Sequence, residues 1–358
     1  MTNLDIIRYR LHNQLLSQIK FTQPSQVVAW FGAIQAQDYA GAKWAIGQRV
    51  KGMTDSAVEQ ALADGSILRT HVMRPTWHFV TPTDIRWMLE LTAPRVRAAM
   101  AHMDRQLELD KAIFKKSNAV LTKTLHGNQQ LTRSELAPVL QKTGVPVDGL
   151  RLGHLLMHAE LDGVICSGAR KGKQFTYALL EERAPQSKIL ERSETLAELT
   201  KRYFRSHGPA TLQDFAWWSG LTMTDVRKGI EEVKSELEHE VSNNQTYWFP
   251  PTTSLRDLSP AAYLLSNYDE YTVGYRDRSA IFDVSHTDKL SAFRESILTQ
   301  TILINGEVSG TWKRTVKKSE VIIQLAPFSI LGKTENQAVI EAAQQYGKFL
   351  GLPAVLAI

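Results

Sequence analysis

The stretch TRSELAPVLQKTGVPVDGLRLGHLLMHAELDGVICSGARKGKQFTY (residues 132–177) sets the reading of the whole chain. Thr132 and Glu135 stand three apart, ahead of Leu136, Val139 and Leu140. That spacing is a capping box opening an amphipathic helix. Pro146 and Gly149 mark a turn, and Leu152, Leu155, Leu156 and Ala159 give a second helix. Val164–Ile165 and Phe175–Thr176–Tyr177 read as two strands. Between them, Gly168-Ala169-Arg170-Lys171-Gly172-Lys173 is a glycine-containing turn carrying three cations. Helix, turn, helix and a basic-tipped hairpin make a winged helix-turn-helix. Such a unit lays its second helix in a groove of a duplex and reaches a neighbouring phosphate with the tip.

Working outward, the same shape recurs without residue identity. Leu4, Ile7, Leu11 and Leu15 make the apolar stripe of an N-terminal helix. Val27, Phe31 and Ile34 form a second stripe starting near Pro24–Ser25; Thr54 caps a short helix lined by Val58 and Leu62, and a strand pair runs from about Ile67 to Val80. A further copy begins at Thr211, with Asp214 three residues on and Phe215 and Trp218 facing inward. Gly220 breaks that helix, and Thr222 caps the next, whose core face is Val226, Ile230 and Val233. Asn243–Asn244 then reads as a hairpin turn before Thr246 to Phe249. Beyond Pro250 the texture changes. Pro250–Pro251 and Pro260 bracket a loop, and Ala262–Leu265, Ile302–Ile304, Val308–Trp312 and Val321–Leu325 read as strands. Asn305–Gly306 is a tight-turn signal, and Gln337 to Leu350 reads as a closing helix. The expected fold class is α+β: three tandem winged-helix units followed by a small β-rich C-terminal domain. The expected boundaries are 1–110 for the first unit with its N-terminal helix, 111–190, 191–250, and 251–358.

Charge and composition narrow the partners. Lys and Arg number 42 against 37 Asp and Glu, a formal charge of +5, which permits a polyanionic partner without requiring one. Cys166 is the only cysteine, so neither an intrachain disulfide nor a cysteine-based zinc set is available. No segment approaches the roughly 20 apolar residues of a membrane span, and a cytoplasmic, nucleoid-associated protein is expected. His71 and His78 lack the further ligands a metal needs, and there is no P-loop. Neither metal nor cofactor is expected.

At Ala33-Ile34-Gln35-Ala36-Gln37-Asp38 the sequence resembles the winged-helix DNA glycosylases of the AlkZ-like, azinomycin-resistance type. The hallmark of that family is a Gln, an apolar residue, then Gln or Asp; Gln35-Ala36-Gln37 is the Gln/Gln form. The resemblance continues at Arg69 to Phe79, at Leu265 to Tyr271 with Gly274 to Arg278, and at Asn305 to Arg314. It implies an enzyme that removes N7-alkylated purines and unhooks interstrand crosslinks, acting as a monomer on double-stranded DNA. It also implies a basic hairpin laid against the damaged duplex.

The residues are chemically suited to that reading. N7 alkylation puts positive charge on the purine, so the base leaves readily and needs little general-acid help. What remains is to place a water near the sugar carbon. A Gln carbonyl accepts a hydrogen bond from water and fixes its direction, although it is no base at neutral pH. Gln35 and Gln37 are therefore the candidate catalytic pair. On an ideal helix they would stand about 200° apart, so a helix end or turn is expected there. Asp38 either assists electrostatically or closes the helix end. Arg74 is placed to bind phosphate, and Trp77 either stacks or fills core. Arg170, Lys171 and Lys173 form one expected DNA-binding tip; Lys313, Arg314, Lys317 and Lys318 form another, at the end of a hairpin. Asp269 and Glu270, read as neighbours on a strand, are expected to pair with Arg276 or Arg278. The alternative to a glycosylase is a non-catalytic winged-helix DNA-binding protein or regulator.

Overall fold

The computed structural model describes residues 1–251, 255, 261–282 and 299–357. Pro260 lies outside them. The fold is mixed α and β, and the chain divides into two compact units. One comprises residues 1–59, 197–218 and 222–358; the other comprises 60–196 and 219–221.

The second unit contains the stretch that opened the reading. Thr132 caps the helix Arg133–Lys142, its hydroxyl accepting from the Glu135 N–H while the Glu135 carboxylate accepts from the Thr132 N–H. The helix Arg151–Leu161 follows, and strands Ile165–Ser167 and Thr176–Leu179 pair antiparallel, with Leu131–Thr132 completing a small sheet. Leu121, Leu125, Leu136, Leu140, Leu155, Ile165 and Leu179 share one core. Burial of such side chains, at about 25 cal/mol per Å², is what holds the helices on the sheet. The hairpin Leu68–His71 with Trp77–Val80 also stands where the alternation put it. Two long helices that the sequence reading passed over, Ile85–Gln106 and Lys111–Leu125, belong to this unit.

In the first unit a five-stranded sheet runs in the order Ala354–Ala357, Val321–Pro327, Glu307–Val316, Thr301–Ile304, Ala262–Leu265. All neighbours are antiparallel except the outer pair, which the helix Lys333–Leu350 connects in parallel. A direct antiparallel return needs only a tight turn, which Asn305–Gly306 supplies with both residues at positive φ; a parallel neighbour needs a crossover. Trp312 and Tyr346 meet edge to face at 5.2 Å, and Trp44 meets Tyr346 at 5.0 Å. The indole N–H of Trp312 donates to the Leu265 carbonyl and that of Trp44 to the Leu264 carbonyl, at 2.7 and 2.6 Å. Two tryptophans thus pin the end of the strand that leads into residues 266–270. The hairpin Glu238–Ser242 with Gln245–Phe249 turns at Asn243–Asn244, both left-handed.

Three expectations are corrected. Ile34 does not continue the Val27–Phe31 stripe, because Gly32, at φ +83°, ends that helix and Ile34–Gln35 is extended. Lys313 and Arg314 are not at a hairpin tip. They lie within the strand Glu307–Val316, paired with Gln324 and Ile323, and the turn falls at Lys317–Glu320. Asp269 and Glu270 are not strand neighbours: Asp269 caps the short helix Glu270–Val273.

Candidate active site

The glutamine triplet lies in the first unit, between two helices. After the helix Pro24–Phe31 the chain extends through Ile34–Gln35, bends at Gln37, and enters the helix Tyr39–Gly47. Gln35 is 8% exposed and Ala36 fully buried, whereas Gln37 is exposed. The turn expected from the spacing is present, as a strand end leading into a helix start. The strand covers only Ile34–Gln35 and the chain bends at Gln37, so the helix geometry that would separate the two glutamines does not apply.

Asp38 opens the following helix. Its Oδ1 accepts from the Gly41 N–H at 3.0 Å, the usual task of an N-cap carboxylate. Its Oδ2 accepts from Asn267 Nδ2 at 3.0 Å, and Arg314 Nη2 stands 3.8 Å away. Gly41 is required at this contact, because a Cβ there would lie 2.7 Å from Asp38 Oδ2 and 3.1 Å from Ser266 Cβ. Arg314 shares a strand face with buried Trp312, and its guanidinium lies 5.5 Å from the Tyr346 ring centroid. Exposed Lys313 points to the opposite face, and Lys317 and Lys318 are exposed at the turn, Lys317 paired with Glu320 at 2.9 Å.

Behind Gln35 lies a carboxylate that sequence reasoning gave a different role. Glu270 is 1% exposed. Its Oε1 accepts the backbone N–H of Gln35 at 2.9 Å; its Oε2 accepts from Trp218 Nε1 at 2.9 Å and faces His207 Nε2 at 3.2 Å. Since an ionised carboxylate only accepts, the His207 proton lies on Nε2. Burial pulls the imidazole of His207 below its usual range. Burial also pushes the Glu270 carboxyl up, but the His207, Gln35 and Trp218 donors outweigh it and hold the group below its ordinary value. His207 stacks on Tyr203 at 4.6 Å. Gly274 allows this packing, because a Cβ there would stand 2.5 Å from His207 Cδ2.

Asp269 pairs not with Arg276 or Arg278 but with Arg49. The guanidinium donates from Nη2 to Oδ1 at 2.7 Å and from Nη1 to Oδ2 at 2.9 Å, with both residues fully buried. Gln48 Nε2 adds a contact at 3.2 Å and the Tyr271 N–H one at 3.0 Å. The backbone of Arg276 donates to Asp214, and Arg278 Nε to the Thr272 carbonyl.

The remaining candidates belong to the second unit. Arg74 follows Met73, which has φ +63°, in the turn before Trp77–Val80, and is half-buried. Trp77 is neither plain core nor an open ring: Arg69 lies 4.2 Å from its centroid and His71 4.5 Å. His71 in turn contacts buried Glu160. Lys171 and Lys173 are exposed beside Gly172, Lys171 pairing with Glu135 at 3.0 Å, and Arg170 lies over Phe175 at 5.4 Å. Among the described residues no three metal-ligating side chains converge, and no helix is long and apolar enough to cross a membrane.

The chain as a whole, on its mixed α and β frame, is similar to a set of DNA glycosylases. The profile described as DNA glycosylase AlkZ-like matches residues 28–349, and the chain belongs to that family. It is 24% identical to the interstrand DNA cross-link repair glycosylase of Streptomyces sahachiroi, over 97% of this chain and 96% of that protein. The solved structure of the Streptomyces sahachiroi DNA glycosylase AlkZ superposes with a TM-score of 0.81 at 21% identity, covering all of both chains.

Proposed function

We propose that this protein is a monofunctional DNA glycosylase that hydrolyses the N-glycosidic bond of N7-alkylated purines and unhooks interstrand crosslinks, acting as a monomer in the cytoplasm on the nucleoid. The observation that carries the reading is the glutamine pair at a strand end, with Gln35 backed by an ionised, buried Glu270. Family membership and the cross-link repair relative support it. In this reading the C1′–N9 bond breaks and its electrons neutralise the cationic purine. Water then adds to the oxocarbenium-like sugar, and one proton leaves to solvent. Gln35 and Gln37 orient that water through their amide carbonyls, and preorganised dipoles carry much of the rate. Asp38 holds the motif to Asn267 and Arg314, adding negative potential beside the developing sugar cation. Arg74, Arg170, Lys171, Lys173, Lys317 and Lys318 meet phosphates of the duplex, and Lys313 and Arg314 brace the minor groove beside the lesion. Three winged-helix units, over 1–110, 111–190 and 191–250, followed by the β-rich 251–358, would present these groups.

The test is release of free base from a duplex carrying N7-methylguanine. Gln35→Ala and Gln37→Ala should each lower the single-turnover rate at least about 100-fold while affinity for DNA changes little. Wild-type rates in both variants contradict the assignment. A wild-type protein that releases no base, yet prefers one undamaged sequence strongly, is the non-catalytic regulator instead.

A further inference from the structure

The buried carboxylate of Glu270 has no counterpart in the water-orienting chemistry just described, yet it is built with care. Three donors from three separate segments converge on its two oxygens: the Gln35 N–H, the Trp218 indole and His207. An uncompensated carboxylate is costly to bury, and this one is compensated on both oxygens. Its other neighbours are equally fixed. The Glu270 carbonyl accepts from Gln14 Nε2 at 3.2 Å, and the same Nε2 reaches Tyr275 Oη at 2.9 Å. The next residue upstream, Asp269, is clamped by Arg49. Neither end of Glu270 can drift.

We infer that Glu270 is a positioning residue for base excision, holding the extended backbone at Gln35 in place just ahead of the bend at Gln37. This inference rests on the proposed role of the two glutamines. The main-chain hydrogen bond is the decisive feature. It fixes the peptide on which Gln35 is carried through the main chain, at 2.9 Å. Trp218 and His207 act one step further back, by aiming the carboxylate. A side chain recruited only to fill core would place carbon against the peptide N–H, leaving that donor buried and unpaired.

Glu270→Gln keeps the shape and removes the charge. One amide oxygen can serve the Gln35 N–H, but the amide nitrogen then faces two donors, so the group must rotate or shift. A shift of about 1 Å at a reacting group costs about 100-fold in rate. The experiment combines single-turnover release of N7-methylguanine, duplex affinity by titration, and hydrogen–deuterium exchange of a peptide spanning residues 32–38. The expected result is a maximal rate lowered about 10- to 100-fold, a Kd within about twofold of wild type, and faster exchange at Gln35. A folded Glu270→Gln protein with wild-type exchange and wild-type rate overturns the inference, as does equal loss of rate and affinity. Faster exchange in a chain whose wild type releases no base supports the positioning and refutes the glycosylase reading, so the two failures are distinguishable. Where Glu270→Gln does not fold, Trp218→Phe decides. It removes one donor from Oε2 and should slow excision about 3- to 10-fold with faster exchange at Gln35, and unchanged exchange and rate in that variant overturn the inference.

Discussion

Asp269 and Glu270 adjoin in sequence, and separate partners accommodate the two carboxyl groups in the interior. Asp269 meets a guanidinium in a two-point contact, so Arg49→Ala leaves a carboxylate with its principal partner gone. Breaking a buried pair in this way costs about 3–5 kcal/mol. Urea unfolding should show that loss as a lower midpoint, and a shift worth less than about 1 kcal/mol, the scale of an exposed pair, would mean that water reaches Asp269. His207 gives a pH signature of opposite origin. Burial holds its pKa below the ordinary 6.5, so the unfolded chain binds a proton that the folded chain refuses. Stability is therefore complete at neutral pH and falls as pH drops below 6.5 toward the depressed folded value. Thermal unfolding between about pH 7.5 and about pH 5 should show the melting temperature falling with acid, and the fall should shrink in His207→Gln. An identical slope in both proteins would place the titration elsewhere.

Among the elements, the helix Arg133–Lys142 makes the clearest separate prediction. The Thr132 N–H, with Lys171 and the Thr132 hydroxyl behind it, pulls the Glu135 carboxyl down to about 2. A depressed acid stabilises the fold above its ordinary value of 4.5, and that contribution is lost as pH falls toward about 2. Thr132→Ala should cost about 1 kcal/mol, and Glu135→Gln should remove the part of the acid dependence that lies in this window. An unaltered acid profile in Glu135→Gln would contradict the capping assignment. This element was legible because Thr132 and Glu135 lie three residues apart and interact locally. Asn305–Gly306 was legible for the same reason. The helix Tyr39–Gly47 was not: its residues 41–47 are all buried, so no polar face alternates with an apolar one. Ile34 misled because it falls three residues after Phe31, and only the left-handed Gly32 between them shows that the period has stopped. The glutamine pair could be found as a motif, but its supporting carboxylate could not. Glu270 sits among nearby arginines that invite a local pairing, and its real partners are Gln35, His207 and Trp218, for which no spacing rule exists. Arg314 was placed among the tip cations because Lys313 to Lys318 is a basic run; strand alternation separates it from Lys313 and turns it toward Asp38.

At the scale of the whole molecule the proposed duplex contacts predict an electrostatic binding law. Each phosphate neutralised contributes a slope of about −0.9 in log K against log salt. Replacing Lys317 and Lys318 together by Ala should reduce that slope by about 1.8 and weaken damaged and undamaged duplexes alike. Arg314→Ala should instead act on excision, because that side chain lies against Asp38. A slope unchanged by the lysine pair would remove the strand turn from the DNA-binding surface. The hydrogen bond from Gln35 to Glu270 spans 235 residues of chain, and this separation has a consequence during synthesis. A ribosome has made the glutamines long before it makes the carboxylate that holds them. Nascent chains shorter than residue 270 carry the motif without its brace, as do fragments clipped ahead of that point. On the proposed function, full competence to cut a base from DNA would thus arrive late in synthesis, and incomplete copies would leave few abasic sites.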